Sequence, residues 1–151
     1  MTAFPVNIRP DIAELEESKI VEVWRMGFDY PDTLGMWVGQ GDLPTPRFIC
    51  DATTKAMQEG QTFYTHKRGI PELRQALADY HRDLYGVEIA DARIAVTSSG
   101  MNAMMLIIQT LLSAGDNIVC VTPVWPNIFA CAQIQGGVAK QVPLVGTPQG
   151  W

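Results

Sequence analysis

What this sequence lacks narrows it before anything it contains. Its 151 residues include three cysteines and two histidines, and Cys50, Cys120 and Cys131 form no Cys-x-x-Cys pair. Cysteines this few, odd in number and far apart do not build a disulfide framework. Cys120 and Cys131 stand in apolar contexts, where a free thiol behaves as a small hydrophobe. His66 and His81 show no ligand spacing, so no metal site is expected. Basic charge is also scarce, with 11 Lys plus Arg against 16 Asp plus Glu and a formal net charge of -5. No basic run exists, which removes the electrostatic footprint that nucleic acid requires. No apolar stretch reaches the roughly 18 residues of a membrane span, and residues 1–10 lack the pattern of a secretory leader. Repeats and low-complexity tracts are absent too. The expectation is a soluble, cytoplasmic protein with neither nucleic acid nor membrane as partner.

What is present suits a packed α/β protein. Hydrophobic residues make up 47% and charged residues 18% of the chain, and a domain of this length can bury roughly 68–70% of its unfolded surface. Residues 11–26 show helical spacing, with Ile12, Leu15, Ile20, Val23 and Trp24 on one stripe and Glu14, Glu16, Glu17 and Glu22 between them. Asp11 and Glu14 resemble a capping box, so one amphipathic helix is expected there. Two glycines and two prolines in residues 39–46 then break any regular element. Thr45 is expected to cap the next helix, with Pro46 in its first turn and Gly60 at its end. After the connector 61–70, Pro71 opens a helix with Leu73, Ala76, Leu77, Tyr80 and Leu84 on one face, and Gly86 closes it.

From Arg93 the pattern changes. Short apolar runs at residues 94–97, 118–121 and 140–145 read as buried parallel strands. They alternate with helices expected from Met101 to about Leu112 and from Pro126 to the Gly136-Gly137 pair. Strand, helix, strand, helix, strand at this spacing implies βαβ units and an α/β architecture.

Ligands in open α/β sheets bind beyond the carboxyl ends of strands. Two loops leave such ends, Thr97-Ser98-Ser99-Gly100 and Thr122-Pro123-Val124-Trp125. The first combines small residues, hydroxyls and a helix N-terminus, the makings of an anion site. It is neither a Walker loop nor a Gly-x-Gly-x-x-Gly fingerprint, and a Ser that merely caps the helix is the competing reading. Trp125 could stack on an aromatic ring of a phosphorylated ligand, or be a core residue. Tyr64, beside His66, Lys67 and Arg68, is a polar-tipped aromatic in a connector, where a solvated surface is the plainer reading.

Taken in order, four segments resemble the N-terminal part of the class I/II aminotransferases, fold type I pyridoxal-phosphate enzymes similar to aspartate aminotransferase. They are Gly39-Gln40-Gly41-Asp42-Leu43-Pro44-Thr45-Pro46, Tyr64-Thr65-His66-Lys67-Arg68-Gly69-Ile70-Pro71-Glu72-Leu73-Arg74, Val96-Thr97-Ser98-Ser99-Gly100-Met101-Asn102-Ala103, and Ala114-Gly115-Asp116-Asn117 leading to Pro123-Val124-Trp125. The resemblance implies part of a three-layer α/β/α large domain. Residues 1–41 would be an N-terminal arm and small-domain segment, and residues 42–151 the start of the large cofactor-binding domain. It implies pyridoxal 5'-phosphate as cofactor, amino acid and 2-oxo acid substrates, and a homodimer. By position, Ser99, Gly100 and Met101 match the turn that holds the cofactor phosphate, and Trp125 matches the aromatic stacked on the ring. Gly39 matches a backbone position near the substrate carboxylate. Tyr64 matches a tyrosine that reaches the partner subunit's cofactor phosphate. Met101 departs from the polar side chains common at its position, leaving only main-chain contact there.

The family chemistry also needs a Schiff-base lysine, a carboxylate at the pyridinium nitrogen and an arginine for the substrate carboxylate. None of Lys19, Lys55, Lys67 and Lys140 stands in the family's Ser-x-x-Lys context, so no catalytic residue is assigned. The family places those groups after the segment that ends here, so the expectation is an N-terminal portion, inactive alone. Two rival readings are a non-catalytic remnant serving as a phosphate-binding or dimerisation module, and a generic nucleotide-binding α/β domain. The missing glycine fingerprint counts against the second.

Overall fold

The computed structural model describes residues 7–148 and residue 150. Residues 1–6, part of the stretch read above for a leader, and residues 149 and 151 lie outside them. The described chain forms six α-helices, one 3-10 turn and two strands. It divides into two compact units, residues 1–39 with 100–151, and residues 40–99.

The first unit begins with α1 (Pro10–Ala13) and α2 (Lys19–Gly27), so the single helix expected over residues 11–26 is two. Asp11 is not the cap: Arg9 holds that position and Pro10 starts the helix. Glu14, Glu16 and Glu17 crowd the gap between the helices, where like charges one turn apart oppose continuation. Arg9 pairs with the Asp11 carboxylate and donates to the Ile134 carbonyl at 2.9 Å, tying the arm to the unit. The indole of Trp37 lies over Gly27, where an added Cβ would sit 2.5 Å from the ring.

The same unit contains α5 (Gly100–Leu111), β1 (Asn117–Thr122), α6 (Asn127–Ile134) and β2 (Val138–Pro143). The strands pair in parallel, with Asn117 opposite Val138 and Thr122 opposite Pro143, the βαβ arrangement expected from the alternation. The turn before each strand lies against the other: Gly115 N–H donates to Gly136 O at 2.9 Å and Val138 N–H to Asp116 O at 2.9 Å. This contact explains the glycine pair, because a Cβ on Gly137 would meet Leu112 Cδ2 at 2.4 Å. Ile108, Cys120, Cys131 and Ala132 form the buried centre. All three cysteines are free, with Cys50 exposed. Burial pushes the Cys131 thiol pKa up, because the thiolate is the form that loses solvation.

The second unit contains α3 (Arg47–Gln58), α4 (Pro71–Tyr85) and the 3-10 turn Asp91–Arg93. Pro46, not Thr45, occupies the cap of α3, and no side-chain cap bond forms. The Thr45 carbonyl instead accepts from Cys50 Sγ at 3.7 Å. Helix α4 runs as expected, stopped by Gly86 at φ 66°. Residues 94–97, expected as a strand, belong to no ladder among the described residues. Strand assignment needs a partner row of N–H and C=O groups, which unit two does not supply.

These units form a partial α/β domain with much apolar surface uncovered. Leu106, Ile107 and Leu111 of α5 are exposed, as are Val119 and Val121 of β1 and Phe48, Ile49 and Met57 of α3. A helix as apolar as α5 is normally enclosed.

Candidate functional site

Two of the candidate residues open α5. In any α-helix the first-turn N–H groups have no intrahelical acceptor, and the dipole makes that end attractive to anions. Gly100 and Met101 are the first two residues of a 12-residue helix. A Cβ on Gly100 would meet nothing within 4 Å, so the space over this end is open. Met101 is half-buried, which leaves its amide rather than its thioether as the group on offer.

The direction of α5 decides what lies near that end. Residues 112–116 reverse the chain between α5 and β1, closed by Ser113 N–H to Asp116 Oδ2 at 2.9 Å and Asp116 N–H to Ser113 O at 3.1 Å. A 12-residue helix is about 18 Å long and a six-residue strand about 20 Å. A helix that doubles back along the strand after it would bring its start toward that strand's carboxyl end, where open α/β sheets take ligands. Trp125 stands in the turn after β1, 46% exposed. The Thr122–Pro123 peptide in that turn is cis. Gly100, Met101 and Trp125 all belong to the first unit. Gly39, also in that unit, is exposed with nothing within 4 Å of a Cβ placed on it.

Ser99 and Tyr64 lie in the second unit. The Thr97 hydroxyl donates to the Ser99 carbonyl at 2.8 Å, a local bond that bends the chain just before α5. Tyr64 is fully exposed at 107%.

Sequence reasoning passed over two features. One is a hollow of ≈ 580 Å³ in the first unit, between residues 14–20 and Val124, Phe129, Gln133 and Gln141. Its signal was the run of glutamates that splits the expected helix. The other is Arg74, 6% exposed and the only charged side chain among the described residues that is buried. Nothing local marks an arginine on an amphipathic helix as internal. Among the described residues no group of three or more His, Cys, Asp or Glu could hold a metal ion. No helix among them is long and apolar enough to cross a membrane.

A helix start at Gly100 and Met101 and, in the turn after a parallel strand, Trp125 belong to one α/β unit. Relatives carry the assignment further. The sequence pattern of the family "Aminotransferase class I and II" matches residues 32–149. Aspartate aminotransferase of Pyrococcus horikoshii is 29% identical over 130 residues, covering 86% of this chain and 33% of that protein. A probable aspartate aminotransferase of Methanocaldococcus jannaschii is 30% identical over 138 residues, covering 91% of this chain and 34% of its own length. Among solved structures, Thermus thermophilus aspartate aminotransferase superposes with a TM-score of 0.83 at 26% identity, over 93% of this chain and 38% of the other. An aminotransferase from Mycobacterium tuberculosis shares the fold with a TM-score of 0.86 at 21% identity, over 95% and 38%. The chain belongs to the class I and II aminotransferase family. It spans about a third of the length of the curated relatives it matches.

Proposed function

We propose that the chain is the N-terminal portion of a pyridoxal-phosphate-dependent aminotransferase, transferring an amino group between an amino acid and a 2-oxo acid. The observation that carries this reading is the opening of α5 at Gly100 and Met101, in the unit that also holds Trp125 and in a chain of this family. Pyridoxal phosphate would supply the electron sink of the reaction. The donor set fits such a group: main-chain amides at a helix start suit a dianionic phosphate, and the open space over Gly100 leaves room for one.

In this reading the amides of Gly100 and Met101 and the residue before them, Ser99, hold the phosphate. Trp125 presents its indole to the ring. Gly39 leaves bare backbone for a substrate carboxylate. Tyr64, standing in solvent, reaches the phosphate site of a second subunit in a homodimer. None of the four lysines is assigned the covalent role. In the whole protein, residues 1–41 would serve the arm and small domain, and residues 42–151 would begin the large domain.

Met101→Pro tests the phosphate cradle. Proline is tolerated in a first helical turn, and Gly100 before it has no Cβ to clash, so the helix survives while one N–H is lost. Tryptophan emission titrated with pyridoxal phosphate and with pyridoxal should show preference for the phosphate ester in the native chain. A hydrogen bond to a charged group is worth about 1.5–3 kcal/mol, so the substitution should weaken the ester roughly 10- to 100-fold and pyridoxal little. Equal affinity of the native chain for both ligands would sink the proposal. Preference for the ester with no transamination in the whole protein would favour a non-catalytic binding module.

A further inference from the structure

Arg74 is a charged group that the fold has taken out of water, and its partners show where that charge is spent. Its Nη1 donates to the Asp91 carbonyl at 3.4 Å and lies 3.2 Å from Asp91 Oδ2. Its Nε meets no acceptor among the described residues. Burying an arginine is unfavourable unless its partners are well placed, and Asp91 is half-exposed, which weakens the ion pair by solvent screening. Stability alone is therefore a poor account of this side chain.

Its surroundings offer a better one. Asp91 begins the 3-10 turn that leads into residues 94–97 and on to Ser99. On the facing connector, Arg68 Nη1 donates to the Ala92 carbonyl at 2.6 Å, and the Arg68 carbonyl accepts from Val96 N–H at 3.0 Å. Gly69, at φ 93°, lies so close that an added Cβ would be 2.8 Å from Val96 Cβ. Within the connector, Gly69 N–H donates to His66 O at 2.8 Å and Arg68 N–H to His66 Nδ1 at 3.2 Å. Residues 94–97 have no strand partner in this unit, so these few bonds fix their path.

We propose that Arg74 is a positioning residue: with Arg68 it clamps the turn Asp91–Arg93 and so sets the segment ending in Ser99 against the connector that carries Tyr64. The inference rests on the phosphate-binding reading above, in which Ser99 meets this chain's cofactor phosphate and Tyr64 that of a second subunit. Phosphate recognition by donors at fixed positions requires placement to about 0.5 Å, and a loosened turn would relax it without removing any contact residue.

The test compares Arg74→Met and Arg74→Lys with the native 151-residue chain, using pyridoxal phosphate, pyridoxal and amide hydrogen exchange. Arg74→Met should weaken pyridoxal phosphate about tenfold, the scale of one lost charge-assisted bond, while pyridoxal changes less than about twofold on the same reasoning. Arg74→Lys should recover most of the loss. Exchange at Val96 should quicken in Arg74→Met, with α3 unchanged. An equal loss for both ligands would show a merely structural arginine and overturn the proposal, as would unchanged exchange at Val96. If the native chain fails to prefer the ester, the phosphate reading fails, and the exchange comparison alone decides the clamp. Should Arg74→Met not fold, Asp91→Ala must give the same pattern in smaller degree, and its failure to do so overturns the clamp.

Discussion

Gly69→Ala offers a direct measure of how closely the connector and residues 94–97 are packed. Two effects add at this position. At φ 93° an alanine is strained by about 1–2 kcal/mol, because its Cβ crowds the backbone. The new Cβ would also lie 2.8 Å from both Cβ and Cγ2 of Val96, whereas carbon atoms pack at about 3.5–4.0 Å. Valine cannot turn its Cβ away, and its χ1 is stiff. The backbone must move instead, at a cost typical of overpacking, about 1–3 kcal/mol. The sum is roughly 2–5 kcal/mol. Gly60→Ala is the control: its φ is 77°, but nothing lies within 4 Å of the added Cβ. Only the first effect applies there, about 1–2 kcal/mol. Urea unfolding followed by circular dichroism should separate the two variants by about 1–3 kcal/mol. In a double-mutant cycle, Val96→Gly should relieve Gly69→Ala, since both offending carbons are then gone. Equal destabilisation by the two alanines, or no coupling in the cycle, would refute the reasoning.

Thiol labelling should follow burial: Cys50 is exposed, whereas Cys120 and Cys131 are 5% and 2% exposed. A disulfide reagent should label one thiol quickly in the native chain and three after denaturation, and rapid labelling of Cys131 would contradict the packing around it. Because burial raises the Cys131 pKa, its contribution to stability is fully present below the ordinary thiol pKa of about 8.5 and is lost as pH rises beyond it. Stability measured from pH 7 to 10 should therefore fall at the alkaline end, and less so in Cys131→Ala. Borohydride reduction after incubation with pyridoxal phosphate should fix no single lysine stoichiometrically. Lys19 is held to Glu22 at 3.0 Å, and that hydrogen bond raises its pKa and keeps it protonated. Lys55 lies 3.8 Å from Glu59. A complete adduct on one residue, Lys140 for instance, would show that a covalent site had been overlooked.

Much of the fold was legible because its signals are local. Pro71 and Gly86 bound α4 since a helix start tolerates a missing N–H and its end favours a left-handed residue. The alternation after Arg93 located α5, β1, α6 and β2 because turn residues and apolar runs act within a few positions of each other. The candidate residues at the start of α5 and after β1 were read from the same kind of local signal. The sequence by itself therefore determined most of the helices, the paired strands and the family. Tertiary structure alone decided the rest. It left residues 94–97 without a ladder, since a strand exists only where another backbone offers its row of donors and acceptors. It also buried Arg74 against Asp91, 17 positions away in sequence. Burial is set by which distant segments come together, and no short window of sequence contains that information.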